Sequence, residues 1–299
     1  MDMRVVVTGG AGFIGSSFVA QILGNPLLPL KELVVIDNLT YAGNLRNIED
    51  SKKDKRLVFY KGDISDRRFV TSILLESDFV VNFAAESHVD NSINSSEIFM
   101  RTNILGTHTL LEVGLEKGIK RFLQVSTDEV YGSIEEGSWK EDFPLSPNSP
   151  YAASKASADL LVRAFHNTYG LDTVITRCSN NYGPKQFPEK LIPVVINSII
   201  HGKSIPVYGK GVNVRDWLHV SDHCSGIELA LFNGVAGEVY NIGGGTELSN
   251  IIIINKIIEI MGDGKSLISF VTDRKGHDLR YSVDWSKKRK PANPELVNN

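Results

Sequence analysis

The stretch "VVVTGGAGFIGSSF", residues 5–18, decides the fold. A β-branched run ends in closely spaced glycines, and a helical pattern follows at once. Gly10, Gly12 and Gly15 fall in G-x-G-x-x-G register, and Gly9, Gly12 and Gly15 in G-x-x-G-x-x-G register. Such glycines permit a tight strand-to-helix turn and bring bare backbone N–H groups against a pyrophosphate. They also let the helix approach the sheet, and its N-terminus supplies partial positive charge. Asp37 closes the second β-rich run, "LVVIDN" (33–38), 22 residues after Gly15. A carboxylate there accepts hydrogen bonds from the adenosine ribose and repels a 2′-phosphate, so the cofactor expected is NAD rather than NADP.

Further β-rich runs follow at 57–63, 79–85, 121–127 and 171–178, separated by segments of helical spacing. In the segment 95–118, Ile98, Thr102, Leu105, Thr109 and Val113 recur every three or four residues. This alternation predicts right-handed βαβ units, hence an α/β fold of the Rossmann type: a doubly wound parallel sheet with a smaller C-terminal substrate-binding lobe. Near residue 180 prolines and glycines become frequent, dividing the chain into an NAD-binding domain (1–178) and a second lobe (179–299). The buried-looking run at 237–242 is expected to return to the first sheet. Asp63 in "GDISD" is a candidate adenine contact, and the small residues of "FAAES" (83–87) suit a path along the cofactor.

The chain has 299 residues, 42% of them hydrophobic, which suffices for a large core. A formal net charge of -3 gives no electrostatic reason to bind nucleic acid or an anionic membrane, so small-molecule partners are expected. Only Cys178 and Cys224 occur, and the N-terminus lacks a basic region followed by an apolar core and cleavage site; a cytoplasmic location is expected. Cys178 reads as a small buried residue rather than a nucleophile. No metal is expected. The longest apolar tract, "IIIINKII" (251–258), is far short of the ~20 residues a membrane span needs and reads as a buried helix face.

"SPYAASKASADLL" (149–161) carries Tyr151 and Lys155 at i, i+4, which stacks both on one helix face, with Pro150 suited to the helix start. An ammonium beside a phenol, with a nicotinamide cation near, lowers the phenol pKa and makes the tyrosine a usable base for a sugar hydroxyl. With the glycine turn and Asp37, this pair resembles the extended branch of the short-chain dehydrogenase/reductase superfamily, from Met3 to about Lys288. That resemblance implies a bound nicotinamide cofactor and a C-terminal lobe holding a nucleotide sugar. It also implies a homodimer formed through two helices, here about 95–118 and 151–169. Cofactor contacts are implied at Phe13 and Ile14 in the turn, Asn38, Leu39 and Thr40 after Asp37, and Ile64 beside Asp63. Phe83, Ala84, Ala85, Thr102 and Asn181 complete that set.

Within the superfamily, "STDEVYG" (126–132) is similar to the dTDP-glucose 4,6-dehydratases, as are "DNLTYAGN" (37–44), "RCSNNYGPKQFPEKLIP" (177–193), "PVYGKGVNVRDWLHVSDH" (206–223) and "DRKGHDLRYSVD" (273–284). These enzymes oxidise C4 of the sugar, expel water across C5–C6 and return hydride to C6. Elimination needs a base for the C5 proton and an acid for the C6 hydroxyl. By resemblance Glu129 is the base and Asp128 the acid, while Thr127 hydrogen-bonds O4 beside Tyr151. Like charges held close push one pKa upward, so one carboxyl can stay protonated near neutrality. The resemblance further implies substrate contacts from Ser87, Asn180, Lys190, Leu191, "PVY" (Pro206, Val207, Tyr208), Arg215, Asn250, Arg274 and His277. The chain departs from the family pattern in "WSKKRKPANPELVNN" (285–299), whose basic run and Pro/Asn-rich end read as a solvated, disordered tail.

Overall fold

A computed structural model describes residues 3–76, 78–262, 267–273 and 277–287. The opening run forms β1 (Met3–Thr8), and the glycine turn leads into α1 (Phe13–Gly24). The chain continues through β2 (Leu30–Asp37), β3 (Leu57–Lys61), α2 (Arg67–Ile73), β4 (Phe79–Asn82), α3 (Val89–Asn94) and α4 (Glu97–Phe99). A π-helical turn over Met100–Gly106 joins α4 to α5 (Thr107–Lys117); β5 (Arg121–Thr127), α6 (Pro150–Tyr169) and β6 (Thr173–Cys178) follow. Next come β7 (Asn180–Tyr182), α7 (Leu191–Ile200), β8 (Ile205–Tyr208), β9 (Val214–His219) and α8 (Val220–Asn233). The last elements are β10 (Val239–Ile242), β11 (Glu247–Ser249), α9 (Asn250–Met261) and β12 (Ile268–Val271).

Seven parallel strands make the main sheet in the order β10-β6-β5-β4-β1-β2-β3. The chain runs outward from β1 through β2 to β3, then crosses back to β4, so the order reverses between β1 and β4. That switch point opens a crevice at the carboxyl ends of the strands, where doubly wound proteins hold their ligands. Both faces are buried, as a parallel sheet requires. Val5 and Val7 of β1 join Phe18, Val19 and Ile22 of α1 on one face, whereas Val6 joins Val34, Ile36, Leu110 and Val162 on the other.

α8 lies beyond residue 179 yet belongs physically to this sheet. Its Val220, Cys224, Ile227 and Leu231 pack into the α1 face, and Glu228 accepts hydrogen bonds from Gln21 and Asn25 at 2.5 and 2.6 Å. The chain then enters β10, which pairs with β6. The second lobe has its own core of Val195, Ile205, Val207, Ile254 and Ile258, so "IIIINKII" does present a buried helix face.

The helix predicted over 95–118 forms, but the residues that recur along it do not share one environment. Ile98 and Leu105 are exposed, while Phe99, Asn103, Leu110 and Val113 are buried. The π-helical turn at Met100–Gly106 is the reason: its wider winding rotates the following residues out of 3.6-residue phase. Residues 288–299, where the sequence suggested a disordered tail, lie outside the described residues.

Candidate active site

A cavity of about 350 Å3 lies in the crevice. At its floor Gly9 has φ +68°, and a Cβ there would stand 2.6 Å from the Ala84 nitrogen; at Gly15 it would stand 2.3 Å from the Gly9 carbonyl oxygen. Side chains are excluded where a diphosphate needs to approach. α1 begins behind Gly12 with no side-chain cap and no acidic residue in its first turn, which leaves N–H groups for an anion. Asp37 is buried at the end of β2, each carboxylate oxygen taking one backbone amide, from Ala11 at 2.9 Å and from Leu39 at 2.8 Å. Burial raises its pKa and those two amides oppose the rise. Among the described residues, the basic side chains lining this cavity are Lys155 and Lys190, neither in the loop after Asp37, so a 2′-phosphate would meet a carboxylate without a counter-cation in that lining. The donor set fits NAD.

Every residue expected at the cofactor lines this cavity except Leu39. Leu39 stands at φ 55° and contributes its amide to Asp37 instead. Asp63 also turns inward on its own loop, accepting from the Ser65 amide and hydroxyl at 2.8 Å each. Asn181 donates to the Ser179 carbonyl at 3.0 Å, and its Oδ1 pairs with Nδ1 of buried His223 at 2.9 Å.

β5 ends at Thr127, which caps a 3-10 turn over Asp128–Tyr131; its Oγ1 accepts from the Glu129 amide at 3.3 Å and donates to Asp128 Oδ1 at 3.3 Å. Asp128 is 2% exposed, and its Oδ2 has no hydrogen-bond partner among the described residues. Burial first, and the Glu129 charge second, push its pKa up to about 8, with the Arg215 charge acting the other way. Asp128 is therefore protonated at neutral pH. Glu129, half-buried beside it, faces a second cavity as well as the first. Both acids line the first cavity, Asp128 almost wholly buried at its wall and Glu129 reaching the second cavity as well, although they are adjacent in the chain.

Pro150 and the Ser149 cap, whose Oγ accepts from the Ala152 amide at 3.1 Å, start α6 so that Tyr151 and Lys155 face the same cavity. The protein's own groups act against the lowering of the Tyr151 pKa expected with a nicotinamide cation beside it. Burial, followed by the charges of Glu129, Cys178 and Asp128, raises it well above its ordinary value. Lys155 does not offset this, because its Nζ donates to the Val125 carbonyl at 2.6 Å and burial lowers its own pKa. Cys178 lines the cavity as a free thiol that burial pushes up to about 12, too high for a nucleophile.

The second cavity, about 300 Å3, adjoins the first and shares Ser87, Glu129, Tyr151, Asn180, Lys190 and Leu191 with it. Pro206, Val207 and Tyr208 of β8, Arg215 of β9, Asn250 at the start of α9 and His277 line its far part. Arg215 is anchored by donating to the Asp278 carbonyl at 3.0 Å and lies over the Tyr281 ring at 4.4 Å. His277 pairs with Asp273 at 2.6 Å. Arg274 lies outside the described residues. Sequence reasoning missed Trp217 and Glu189, which line both cavities, and Tyr281 in the second. Trp217 was findable: two residues after Arg215 on a strand, it shares a face with it. No group of three or more His, Cys, Asp or Glu among the described residues is arranged to hold a metal, and no described helix is long and apolar enough to cross a membrane.

A family model described as GDP-mannose 4,6 dehydratase matches residues 6–293. A dTDP-glucose 4,6-dehydratase of Actinoplanes sp. is 54% identical over 288 residues, 95% of this chain and 90% of that protein. The chain belongs to the dTDP-glucose 4,6-dehydratase family. A crystal structure of another member, DesIV from Streptomyces venezuelae with NAD bound, superposes with TM-score 0.92 at 50% identity, covering 99% of this chain and 94% of that one. A member from Bacillus anthracis, also in complex with NAD, gives TM-score 0.87 at 46% identity, covering 95% and 88%. A UDP-glucose 4-epimerase from Thermotoga maritima shares the fold at 30% identity with TM-score 0.85, covering 95% and 91%.

Proposed function

We propose that the protein is an NAD-dependent dTDP-glucose 4,6-dehydratase whose reaction is carried by Asp128, Glu129, Tyr151 and Lys155, with Thr127 beside them. The observation that supports this most is the division of the acid pair. A protonated, deeply buried carboxyl at the wall of the first cavity and a half-buried carboxyl shared with the second stand side by side, the first cavity suited to a dinucleotide and the second carrying a fixed guanidinium for a nucleoside diphosphate. NAD, when bound, supplies the acceptor that takes hydride from C4 and later gives it to C6, together with positive charge that favours the Tyr151 phenolate.

Tyr151 takes the O4 proton as the C4–H bond breaks, and Thr127 Oγ1 holds O4 in line. The 4-ketone acidifies C5–H. Glu129 removes that proton, and Asp128 gives its own to the departing C6 hydroxyl, which leaves as water. Glu129 then returns its proton to C5 as C6 is reduced. Tyr151 ends one proton richer and Asp128 one poorer, and exchange with solvent resets both. The product is the dTDP-4-keto-6-deoxy sugar.

Arg215, His277 and Asn250 would hold the diphosphate, Pro206–Tyr208 the base, and Ser87, Asn180, Lys190 and Leu191 the sugar. Of the described residues, those from 3 to 178 together with the returning segment 220–242 form the NAD lobe, and the others form the substrate lobe. α5 and α6 lie side by side, with His108 against Phe165, and Ile98 of α4, Leu105 of the π-helical turn and Leu160 of α6 are exposed, apolar surface suited to a homodimer. Two free buried thiols suit the cytoplasm. The decisive experiment supplies dTDP-glucose deuterated at C4: deuterium is expected at C6 of the product, and its absence there defeats the scheme.

A further inference from the structure

Behind the reacting groups lies a buried polar network that the mechanism does not use. Arg177, at the end of β6, is 1% exposed and the largest of the fully buried side chains. Its Nε donates to Asp159 Oδ2 at 2.9 Å, and its Nη1 donates to the Tyr131 hydroxyl at 2.7 Å. The guanidinium also lies over the Tyr131 ring at 4.7 Å. Tyr131 passes the network on, donating to Asn241 Oδ1 of β10 at 2.9 Å, and Asn241 donates in turn to the Trp139 and Asp284 carbonyls.

What these partners carry gives the network its meaning. Tyr131 closes the same 3-10 turn that presents Asp128 and Glu129. Asp159 continues the α6 stripe of Tyr151 and Lys155 at four-residue steps, and its charge supports the ammonium of Lys155. Arg177 therefore ties the acid pair's turn to the helix of the Tyr–Lys pair, through two hydrogen bonds in a dry interior. A buried ion pair is weak evidence for stability, since apolar residues of similar volume often serve as well. Fixed geometry is the better account, because reacting groups misplaced by about 1 Å cost on the order of a hundredfold in rate.

We propose that Arg177 is a positioning residue which, through Tyr131 and Asp159, holds Asp128 and Glu129 in register with Tyr151 and Lys155, so that elimination depends on it more than oxidation does. This rests on the dehydratase reading. Oxidation needs only the α6 pair and Thr127 around C4, whereas elimination needs the turn and the helix to act on adjacent carbons of one sugar.

Tyr131→Phe removes one hydroxyl and keeps the ring. Arg177→Lys keeps the buried positive charge but cannot fork to two partners. For both, the expected results are an unchanged KM for dTDP-glucose and a kcat about tenfold lower. Reduced nicotinamide, followed by its near-ultraviolet absorbance, is expected to build up during turnover above the level in the unaltered enzyme. Equal slowing of oxidation and elimination, or no accumulation of reduced cofactor in whichever variant folds, overturns the proposal. If the unaltered enzyme itself never reduces its cofactor with this substrate, the dehydratase reading fails instead.

Discussion

Asp128 and Glu129 are adjacent in the chain, yet their surroundings set them apart. The 3-10 turn sets Asp128 in the buried wall of the first cavity and Glu129 at the junction of the two, and the protein interior does the rest. A carboxyl that must donate a proton works only below its pKa, so kcat is expected to fall as pH rises through about 8, on a measured pH–rate profile. Asp128→Asn removes the donor and should lower kcat by about a hundredfold or more while NAD still binds. Stability carries the same signature with a definite sign. The folded state keeps the Asp128 proton above the ordinary carboxyl pKa, where the unfolded chain has lost it, so the residue destabilises progressively up to about pH 8 and fully beyond. Thermal unfolding should therefore find Asp128→Asn more stable than the parent above about pH 8, by about 1 kcal/mol or more, with the two converging near pH 4. The motif "STDEVYG" made the pair legible. Which acid is buried was not, because adjacent positions on a one-turn helix carry no periodicity from which burial can be read.

Among the elements, most main-sheet strands were legible because they are short β-branched runs buried on both faces, while the half-exposed edge strand β3 was marked by its LVFY run and the Gly62 that stops it. β7, β11 and β12 are only three or four residues long, and their pairing partners, not their composition, make them strands. The helix over 97–117 was legible as a helix, but its phase was hidden by the π-helical turn, which puts Ile98 (45% exposed) and Leu105 (50% exposed) outward. Their exposure strengthens the dimer proposal, since Leu160 (55% exposed) of α6 is also on the outer surface. Leu160→Glu should place charge in this face without disturbing the core. Size-exclusion chromatography at falling concentration is expected to show the variant as a monomer where the parent stays dimeric; an unchanged elution volume would place the interface elsewhere.

For the molecule as a whole, the reaction imposes a demand no single residue meets: the cofactor that receives hydride in the first step must still be present to return it in the last. Two bridges cross the crevice at its mouth. Tyr41, in the loop after β2, donates from its hydroxyl to the Ser87 carbonyl at 2.8 Å and lies 3.3 Å from Glu189 Oε1; its ring meets Phe187 edge-on at 5.4 Å. Lys185 Nζ reaches the Asn47 carbonyl at 2.6 Å. These contacts fasten the loop between β7 and α7 onto the NAD lobe, beside a cavity that Gln186, Phe187 and Glu189 help to line. Neither Tyr41 nor Lys185 lines that cavity, so their removal should leave the chemistry intact and loosen only the closure. Each lost hydrogen bond of this kind is worth about 1 kcal/mol, which for the pair corresponds to roughly thirtyfold in affinity. The double variant Tyr41→Ala/Lys185→Ala is thus expected to lose NAD on gel filtration and to need added NAD for turnover, with kcat at saturating NAD near that of the parent. Full cofactor retention after dilution would show that the glycine turn and Asp37 alone hold the dinucleotide and that the bridges serve only the fold.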